Sequence, residues 1–549
     1  MERRLLVAAG LSLLVLLTWE WIGPRPPKRV APLVETPAAA AAATPAAGGA
    51  TPMDASATAA PVSAALPAAA SAEAETLTTV SNGVFKATFS NRGAVLSSFV
   101  LTGHFDEQKQ PLELLRKLPP EFPKPLGLDF GADAATTKKV AGALFVVERE
   151  SDRVIRWRYA DSTIAVVKEI RVGEGYLFDV KVTVTGPAYS VLVGPGLRNP
   201  TEAERGSRYV MAATAVGATV DGMKTVSAEK ASDKNVWAIP AKGFAGIEDN
   251  YFLEVLVPNA PSTARLFSFS LPRPEGKPSA EIATGVGAQG AFAGSAYFGP
   301  KDVTILESYN LGLQRTVDFG WYGILARPLL WLLKKTQGYV GNWGIAILVV
   351  TFLIRLLLFP LTAKSYVSMK KMQKLSPKMN AIRDKYKKAK SDAAQRQKMN
   401  EELMKLYQSE GYNPMSGCLP IVLQLPILVA FYNVLSRSIE LRHAPFYFWI
   451  KDLSAIDGTY VLVILMIISM YVQQAMTPST MDPAQKKVFM FMPVLWGFFL
   501  KDMPSGLVLY WLFSNLLTIV QQLVMNRIVK EDDPTPPRKG AKALKQARA

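Results

Sequence analysis

The stretch FLIRLLLFPL, Phe352 to Leu361, places one arginine among leucine, isoleucine and phenylalanine residues. The apolar run around it extends from Gly344 to Pro360 and carries no other charge. Such a run is typical of a membrane-spanning helix, in which a central charge costs roughly 2.5–3.5 kcal/mol on insertion scales. Arg355 therefore needs a polar environment within the membrane, unless its side chain snorkels to the lipid headgroups.

Four further apolar segments follow, and none contains a charged residue: Leu419–Leu435, Thr459–Val472, Val488–Leu500 and Gly506–Met525. We therefore expect five transmembrane helices, although the third and fourth of the five runs are short for a bilayer core of roughly 30 Å. Another apolar run, Leu5 to Trp19, follows Arg3 and Arg4. We interpret it as an uncleaved anchor rather than a cleaved signal peptide.

The distribution of charge predicts the orientation of the chain. The sequence of 549 residues has a net charge of +17, and residues 362–411 alone carry 13 basic and five acidic side chains. The tail from Asn526 carries seven basic and three acidic side chains. Because loops rich in lysine and arginine remain in the cytoplasm, both termini and this loop are expected there. The segment between the anchor and the first core helix is expected outside the cytoplasm.

That outer segment alternates apolar and polar residues. In YLFDVKVTVTG, Tyr176 to Gly186, every second side chain is apolar, which is typical of a half-buried strand. Further strands are predicted at Val84–Phe89, Ala143–Glu148, Val154–Tyr159 and Tyr251–Val257. The segment is expected to form a β-sandwich of more than 200 residues.

Two shorter segments flank the predicted sandwich. Residues 24–77 are dominated by Ala, Pro, Thr and Ser, a composition that predicts a disordered linker. On the other side, DFGWYGILARPLLWLLKK, Asp318 to Lys335, repeats apolar residues at helical spacing and ends in two lysines. This pattern favours an amphipathic helix in the membrane interface. The alternative is a helix buried in the β domain.

The apolar segments carry polar residues besides Arg355: Thr351, Gln424, Asn433, Asn515, Thr518, Gln521 and Gln522. None of the five segments contains an aspartate or a glutamate, so Arg355 has no acidic partner within them. Polar groups in membrane helices usually face the interior of the bundle or water. We therefore expect Arg355 to face a wet cavity that receives negative charge from elsewhere.

The basic loop has a helical pattern of its own. Apolar residues recur at three- and four-residue spacing at Tyr366, Met369, Met372, Leu375, Met379 and Ile382, and again after a charged break at Met399, Leu403 and Leu406. This pattern predicts an antiparallel helical hairpin over 362–412, with Met369, Met372, Lys370, Lys371 and Lys374 as candidate contact residues. The lysines suit anionic lipid headgroups or ribosomal RNA, and the alternative is a hairpin that only packs on itself.

Several classes of chemistry find no support in the composition. The single cysteine, Cys418, excludes an internal disulfide, and two histidines in the whole chain argue against a histidine-based metal site. The sequence contains no GxxxxGK[ST] motif, so nothing indicates an ATP-driven motor. No cofactor and no metal is predicted.

Three motifs together resemble the YidC/Oxa family of membrane protein insertases: TFLIRLLLFPL at Thr351–Leu361, NPMSGCLPIVLQLPILVAFY at Asn413–Tyr432 and MPSGLVLYWLFSN at Met503–Asn515. The anchor, linker and large β domain resemble the Gram-negative form, whose periplasmic domain is an all-β supersandwich. The resemblance implies a membrane α-helical bundle in which an N-terminal anchor and a five-helix insertase core accompany that domain. The core would enclose a hydrophilic groove open to the cytoplasm and to lipid.

The resemblance also implies site residues. The family's groove arginine corresponds to Arg355, and its polar groove positions correspond to Thr351 and Gln424. Two substrate-contacting aromatic positions correspond to Tyr510 and Trp511, although the family more often has tyrosine at the second. Asn515, one turn further along the same helix, completes the predicted groove. No catalytic residue is implied, so the chain is not expected to be an enzyme.

The implied function is membrane protein insertion and folding. Nascent transmembrane segments would move from the cytoplasm into the bacterial inner membrane, alone or with the Sec translocon. The ribosome, the signal recognition particle receptor and anionic lipids are further expected partners. The domains implied are an anchor (1–23), a linker (24–77), a periplasmic β domain (78–315), an interfacial helix (316–338), an insertase core (339–528) and a basic cytoplasmic tail (529–549).

Two other functions remain open from the residues alone. Arg355 would suit an anion channel or transporter, although the sequence shows no internal repeat of the kind many transporters have. The β domain would suit an enzyme, because such supersandwiches resemble sugar epimerases. Those enzymes use paired histidines, whereas this domain contains only His104.

Overall fold

The chain forms strands first and helices afterwards. The computed structural model describes residues 69–201, 212–232, 234–272, 278–386, 393–410, 419–478 and 483–528. The predicted anchor, most of the predicted linker and the basic tail lie outside the described residues. Ordered structure begins earlier than the predicted boundary at residue 78, because Ala70 already pairs with Ala160 and the Ala72 amide donates to the Leu144 carbonyl.

The largest sheet has nine antiparallel strands. In spatial order they are β12 (Gly222–Ser227), β11 (Thr214–Thr219), β14 (Phe244–Glu248), β15 (Phe252–Pro258), β18 (Ala291–Pro300), β9 (Leu177–Thr185), β8 (Ala165–Val172), β7 (Val154–Ala160) and β6 (Val146–Ser151). Neighbouring strands are often consecutive in the chain, which is usual for a meander of hairpins.

Two smaller antiparallel sheets accompany it. One consists of β13 (Val236–Ile239), β16 (Ser262–Leu271), β17 (Ser279–Ala288), β10 (Tyr189–Val193) and β5 (Leu128–Asp129). The other consists of β1 (Leu77–Ser81), β2 (Phe85–Ser90), β3 (Val95–Phe105) and β4 (Pro111–Glu113).

The period-two prediction for β9 is confirmed. Phe178, Val180, Val182 and Val184 are buried, while the residues between them are exposed. The strand predicted at Ala143–Glu148 begins three residues later, at Val146. The reason is a distant side chain, because the Asn91 amide donates to the Phe145 carbonyl and draws this segment towards the 91–93 turn.

Aromatic side chains join the sheets into one core. The Phe85 and Phe99 rings stack with centroids 4.4 Å apart, and Phe99 also contacts Phe178 and Phe298 of the large sheet. On the five-stranded sheet, the Thr284 hydroxyl donates to the Gly246 carbonyl of the large sheet over 3.0 Å. The strand-rich part of the chain is therefore an all-β supersandwich, as predicted.

Ten α-helices lie within the described residues. They are α1 (Ala134–Gly142), α2 (Val303–Ser308), α3 (Gly323–Val340), α4 (Trp343–Lys374), α5 (Ser376–Lys385), α6 (Ala393–Ser409), α7 (Leu419–Arg437), α8 (Val461–Met476), α9 (Pro483–Leu500) and α10 (Ser505–Ile528). The five apolar segments predicted to span the membrane fall in α4, α7, α8, α9 and α10. By length and composition, α4 and α10 could each cross a bilayer, and α8 is apolar but shorter.

Helix α10 is the centre of the helical region. It contacts α4, α7 and α8, while α9 packs on α8 and α3 packs on α4 and α7. Gly497 lets α9 approach α8 closely, because any side chain at this position would collide with Ile467. Helices α4, α7 and α8 therefore pack around α10, and α9 joins the bundle through α8.

The helical hairpin begins later in the chain than the predicted residue 362. Helix α4 does not end near Pro360 but runs on to Lys374, and only α5 and α6 form the hairpin beyond it. Two contacts with α10 hold this extension, since Gln521 donates to the Thr362 hydroxyl and the Tyr366 hydroxyl donates to Asn526. Candidate residues Met369, Lys370, Lys371, Met372 and Lys374 therefore belong to the end of α4.

Polar contacts connect the β domain to the helices. The Lys334 ammonium of α3 lies 3.1 Å from the Asp302 carboxylate and 2.5 Å from the Glu440 carboxylate, which follows α7. Nearby, the Arg442 guanidinium donates to the Phe105 carbonyl over 3.0 Å and lies over the Phe252 ring. These contacts define the junction between the β domain, α3 and the loop after α7.

His104 makes this junction sensitive to acid. Its ring packs edge-on against Phe252, and burial, reinforced by the positive charge of Arg442 and opposed by Asp302, lowers its pKa to about 4. The folded chain therefore keeps His104 neutral at pH values where the unfolded chain, with an ordinary pKa of 6.5, binds a proton. Stability should fall as the pH decreases through this window, because the unfolded state then binds more protons.

We expect the His104→Gln variant to lose less stability on acidification than the parent chain. The measurement is thermal unfolding of both full-length proteins in detergent micelles from about pH 7.5 to about pH 4.5. The two unfolding midpoints should diverge below about pH 6.5. Parallel curves over the whole range would show that other groups control the acid response.

Candidate functional site

Arg355 of α4 turns towards α10. Its Nε atom donates to the Ser514 hydroxyl over 3.1 Å, and its Nη2 atom donates to the same oxygen. Ser514 is buried and Arg355 is half-buried, whereas Leu356 and Leu357 beside it are exposed. The guanidinium is thus held between helices, which differs from the snorkelling alternative in which it would reach the headgroups.

A second polar contact lies one turn away on α10. The Gln424 amide of α7 donates to the Tyr510 hydroxyl over 2.5 Å. The Tyr510 ring stacks on Phe431 with centroids 4.0 Å apart, which fixes the direction of its hydroxyl. Because residues four apart share a helix face, Tyr510 and Ser514 point the same way. Arg355, Gln424, Tyr510 and Ser514 form what we call the polar cluster.

The positive charge in the polar cluster has only neutral neighbours. Arg355 forms no ion pair with any residue that the structure describes. A hydroxyl is a weaker acceptor for a guanidinium than a carboxylate or phosphate, which binds it in a charge-assisted and often bidentate manner. The cluster can therefore exchange its internal hydrogen bond for one to an incoming anionic group.

Three other predicted site residues lie outside the polar cluster. Thr351 is buried, and its hydroxyl donates to the Ile347 carbonyl of its own helix over 2.6 Å. Trp511 packs against Trp496 of α9 with centroids 5.6 Å apart. The Asn515 amide donates to the Ser469 hydroxyl of α8 over 3.1 Å. The structure thus brings together Arg355, Gln424 and Tyr510, while the others face different neighbours.

The sequence interpretation missed Ser514 and Ser469, which accept from Arg355 and Asn515. Ser514 stands in the quoted motif MPSGLVLYWLFSN, four residues after Tyr510. Helical spacing could therefore have identified it, because residues four apart lie on the same face of a helix. Ser469 carries no comparable signal, because it lies outside the quoted motifs and no other predicted site residue lies on α8.

The predicted hairpin contacts have mixed exposure. On the last turns of α4, Met369, Lys370 and Met372 are half-buried, whereas Lys371 and Lys374 are exposed. Two lysines of the hairpin proper are engaged differently, since Lys378 pairs with Glu410 over 2.6 Å and Lys385 pairs with Glu402 over 2.7 Å. Exposed lysines therefore occur both at the end of α4 and in the hairpin, where Lys378, Lys385, Lys398 and Lys405 are exposed.

The described part of the chain contains no group of three or more His, Cys, Asp or Glu side chains that could hold a metal ion. Within these residues the polar cluster offers hydrogen bonds, one positive charge and an aromatic wall. Such an arrangement can bind and orient a polar segment.

Family comparisons match both parts of the chain. The model described as the YidC periplasmic domain matches residues 77–332, and the model described as 60Kd inner membrane protein matches residues 335–532. These two matches adjoin each other and include every strand and helix from β1 to α10.

Curated relatives match over nearly the full length. The membrane protein insertase YidC of Geobacter metallireducens is 34% identical over 552 residues, which covers 96% of this chain and 99% of the relative. The membrane protein insertase YidC of Pelobacter propionicus is 34% identical over 578 residues, covering 97% and 100%. Both are named insertases, so the alternative of an anion channel gains no support.

Among solved structures, an active YidC insertase with its first transmembrane domain resolved is 18% identical to this chain. The alignment covers 82% of this chain and 94% of that one, with a TM-score of 0.36.

We expect Tyr510→Phe to weaken the helical region by about 1 kcal/mol, because it removes the acceptor of Gln424 and keeps the ring on Phe431. Gln424→Leu should cost little more in a chain that already carries Tyr510→Phe. Unfolding in micelles of the two single variants and the double variant measures this coupling. Thr518→Val is the control, since that hydroxyl bonds only its own helix at Ser514. Additive losses would contradict the contact.

Proposed function

The chain belongs to the YidC family of membrane protein insertases, and from that premise we propose how its polar cluster handles a substrate. It is an inner-membrane insertase with a periplasmic β domain, and its substrates are nascent membrane proteins. The observation that carries the proposal is Arg355, which only a serine hydroxyl holds at the meeting point of α4 and α10.

We propose that the polar cluster lies in a hydrophilic groove that admits the polar, often acidic, end of an incoming chain. A carboxylate beside Arg355 would replace Ser514 as the acceptor, since the charged hydrogen bond is the stronger one. The exposed Leu356 and Leu357 flank this position, so the apolar part of the substrate has a lipid-facing surface next to it. Burial of roughly 20 apolar residues in the bilayer then drives insertion.

The remaining groove residues take supporting roles in this proposal. Gln424 and Tyr510 keep the groove polar on the α7 side, and the stack on Phe431 holds the Tyr510 hydroxyl in place. Trp511 offers an apolar contact, since it lacks the hydroxyl of a tyrosine. Asn515 fastens α10 to α8, and Thr351 packs below Arg355 with its hydroxyl already satisfied.

We propose that the chain does no covalent chemistry. The groups in the polar cluster bind, orient and release a segment, and transfer of apolar residues into lipid supplies the free energy. The transmembrane potential would assist acidic ends that move outward. No cofactor enters this mechanism.

The proposed topology follows the charge of the loops. The N-terminus, the extension of α4, the hairpin and the C-terminus lie in the cytoplasm, and the 437–458 loop lies on the periplasmic side with the β domain. The proposed layout retains the anchor at 1–23, the interfacial helix near 316–338 and the five-helix core at 339–528.

We propose that the positive end of α4 meets the cytoplasmic partners. Lys370, Lys371 and Lys374 would contact ribosomal RNA or anionic lipid headgroups, and the ribosome would thereby hold its exit site near the groove. The Sec translocon would deliver longer substrates from the side, and the signal recognition particle receptor would deliver ribosomes. Met369 and Met372 would add an adaptable apolar surface beside these lysines.

The first test replaces Arg355 and compares substrates with acidic and neutral translocated ends. Arg355→Lys should retain most insertion, because the position needs a positive charge. Arg355→Ala should slow insertion of the acidic substrate about five- to tenfold, equivalent to about 1 kcal/mol or slightly more of lost attraction. Arg355→Glu should be slower still through like-charge repulsion. The measurement is insertion into proteoliposomes that contain equal amounts of each variant.

Ser514→Ala serves as the matched control, because it removes the partner of Arg355 and keeps the charge. The neutral substrate should be affected little, and the acidic substrate should insert at least as fast as with the parent chain, because its carboxylate no longer competes with the Ser514 hydroxyl. Equal losses for both substrates with Arg355→Ala would point to groove hydration or folding instead of charge attraction. Solute flux without insertion would favour a channel.

The second test concerns the lysines at the end of α4. The triple change Lys370→Gln, Lys371→Gln and Lys374→Gln should reduce ribosome binding at least about tenfold at low salt, since each lysine near an anionic surface contributes about 1 kcal/mol. Cosedimentation of the purified protein with ribosomes measures this binding.

The control removes three charges from the hairpin proper, at Lys378, Lys385 and Lys405. These lysines lie beyond the end of α4, so their loss should weaken binding much less if that end is the contact surface. An equal loss for both triple variants would mean that total charge matters and that the end of α4 has no special role.

A further inference from the structure

Helix α3 exposes an apolar stripe along its whole length. Trp321, just before the helix, is 89% exposed, and Ile324, Trp331 and Tyr339 are 82%, 61% and 82% exposed. At about 100° per residue these four side chains lie within an arc of about 90°. The opposite side, with Leu329, Leu330 and Leu333, is buried against α4 and α7.

The sequence pattern of Asp318–Lys335 predicted an amphipathic helix and did not say which face meets the membrane. In the structure Leu329 and Leu333 pack inside the protein, and the stripe is the exposed face. Because exposed apolar residues occur at both ends of α3, the helix can lie flat in the interface with aromatic side chains at headgroup level. The start of α3 is then at the membrane surface on the side of the β domain.

A cleft of about 550 Å³ opens at this start of α3. One wall is the edge of the large sheet, with Val216, Met223 and Thr225 from β11 and β12. The other wall runs from Arg315 to Arg327 and includes the exposed Ile324. The cleft therefore lies between the β domain and the membrane-facing stripe, away from the polar cluster.

The charges in the cleft favour an anion. Arg315 and Arg327 are exposed and form no ion pair with a residue that the structure describes. Glu248, which also lines the cleft, is neutralised by Lys301 at 2.8 Å. The remaining acid, Asp318, accepts from the Gly320 amide with its side chain, and Arg437 donates to its carbonyl. With Glu248 paired, two arginines and one aspartate remain in the cleft, so positive charge is in excess by one.

The beginning of α3 adds to this excess. Gly323 and Ile324 line the cleft, no side chain caps the helix there, and its first turn contains no acidic residue. The Gly323 amide bonds the Gly320 carbonyl of the preceding turn, but the helix dipole at such an end still attracts negative charge. Two guanidinium groups next to it match the geometry of phosphate oxygens.

We propose that this cleft binds the phosphodiester headgroup of a phospholipid in the outer leaflet of the inner membrane. Arg315 and Arg327 hold the phosphate, and the acyl chains lie along Ile324 and Trp321. Charge alone would suit free phosphate equally, but exposed apolar side chains at the cleft have a function only for a ligand with a hydrocarbon part. The bound lipid would fasten the edge of the β domain to the membrane surface.

The test is hydrogen exchange of the full-length protein in neutral detergent micelles, followed over residues 216–225 and 315–327. Addition of dioleoylphosphatidylglycerol should slow exchange in both segments. The double variant Arg315→Gln and Arg327→Gln should need about tenfold more lipid for the same protection, as expected for lost charge-assisted hydrogen bonds. Ile324→Ser should also weaken lipid binding.

The matched control is Arg153→Gln with Arg265→Gln, which removes two exposed arginines of the β domain far along the sequence from the cleft segments. It should bind the lipid as the parent does. Equal weakening of lipid binding in both double variants would overturn the proposal, because the arginines of the cleft would then have no special role. Equal protection by dioleoylglycerol, which has no phosphate, would overturn it as well. If inorganic phosphate slows exchange in both segments and Ile324→Ser leaves this protection unchanged, the cleft binds a free anion and the proposal of a bound lipid is wrong.

Discussion

Every polar side chain inside the helical region must find its partner within the protein, because lipid offers none. The apolar helices α4, α7, α8, α9 and α10 contain no aspartate or glutamate, so these partners are neutral. Arg355 meets Ser514, Gln424 meets Tyr510, and Asn515 meets Ser469. Each of these contacts includes a residue of α10. The position of α10 at the centre of the bundle follows from this requirement as much as from apolar packing.

A bundle joined by neutral hydrogen bonds has a useful property for an insertase. Contacts of this kind in membrane proteins contribute about 0.6 kcal/mol on average and at most about 1.7 kcal/mol, so none of them is expensive to exchange. A buried ion pair at Arg355 would instead resist any competitor, since breaking such a pair costs about 3–5 kcal/mol. Because these helices contain no acidic residue, the Arg355 guanidinium is held in position by Ser514 and remains available to bind an incoming anionic group.

The fold was largely predictable because its strongest signals are local. The alternation in Tyr176–Gly186 and the apolar runs each depend on one segment, and the structure places strands and helices there. The errors arise where distant residues decide. Asn91 binds the backbone at Phe145 and delays the start of β6, and Gln521 and Asn526 hold the extension of α4. No periodicity within a segment reports such contacts.

The candidate site was also predictable only where its signal lies within one segment. Arg355 was evident from the cost of its burial, but its partner was not, because a hydroxyl in a helix has two options. Thr351 donates to the carbonyl four residues before it, whereas Ser514 accepts from another helix. The two residues look alike in sequence, and only the arrangement of α4 against α10 distinguishes them. A similar limit applies to α3, where apolar residues surround the helix and spacing alone does not say which side is buried.

The β domain is attached to the core more firmly than a flexible tether would allow. Lys334 binds Asp302 on one side and Glu440 on the other, and α3 packs against both α4 and α7. These two helices carry Arg355 and Gln424, so the position of α3 bears on the distance between the two sides of the polar cluster. Partly buried ion pairs add little net stability, because desolvation offsets most of their attraction, but they select one geometry over others. The junction therefore fixes where α3 lies and, through α3, the spacing of α4 and α7, which carry the polar cluster that we propose admits a substrate.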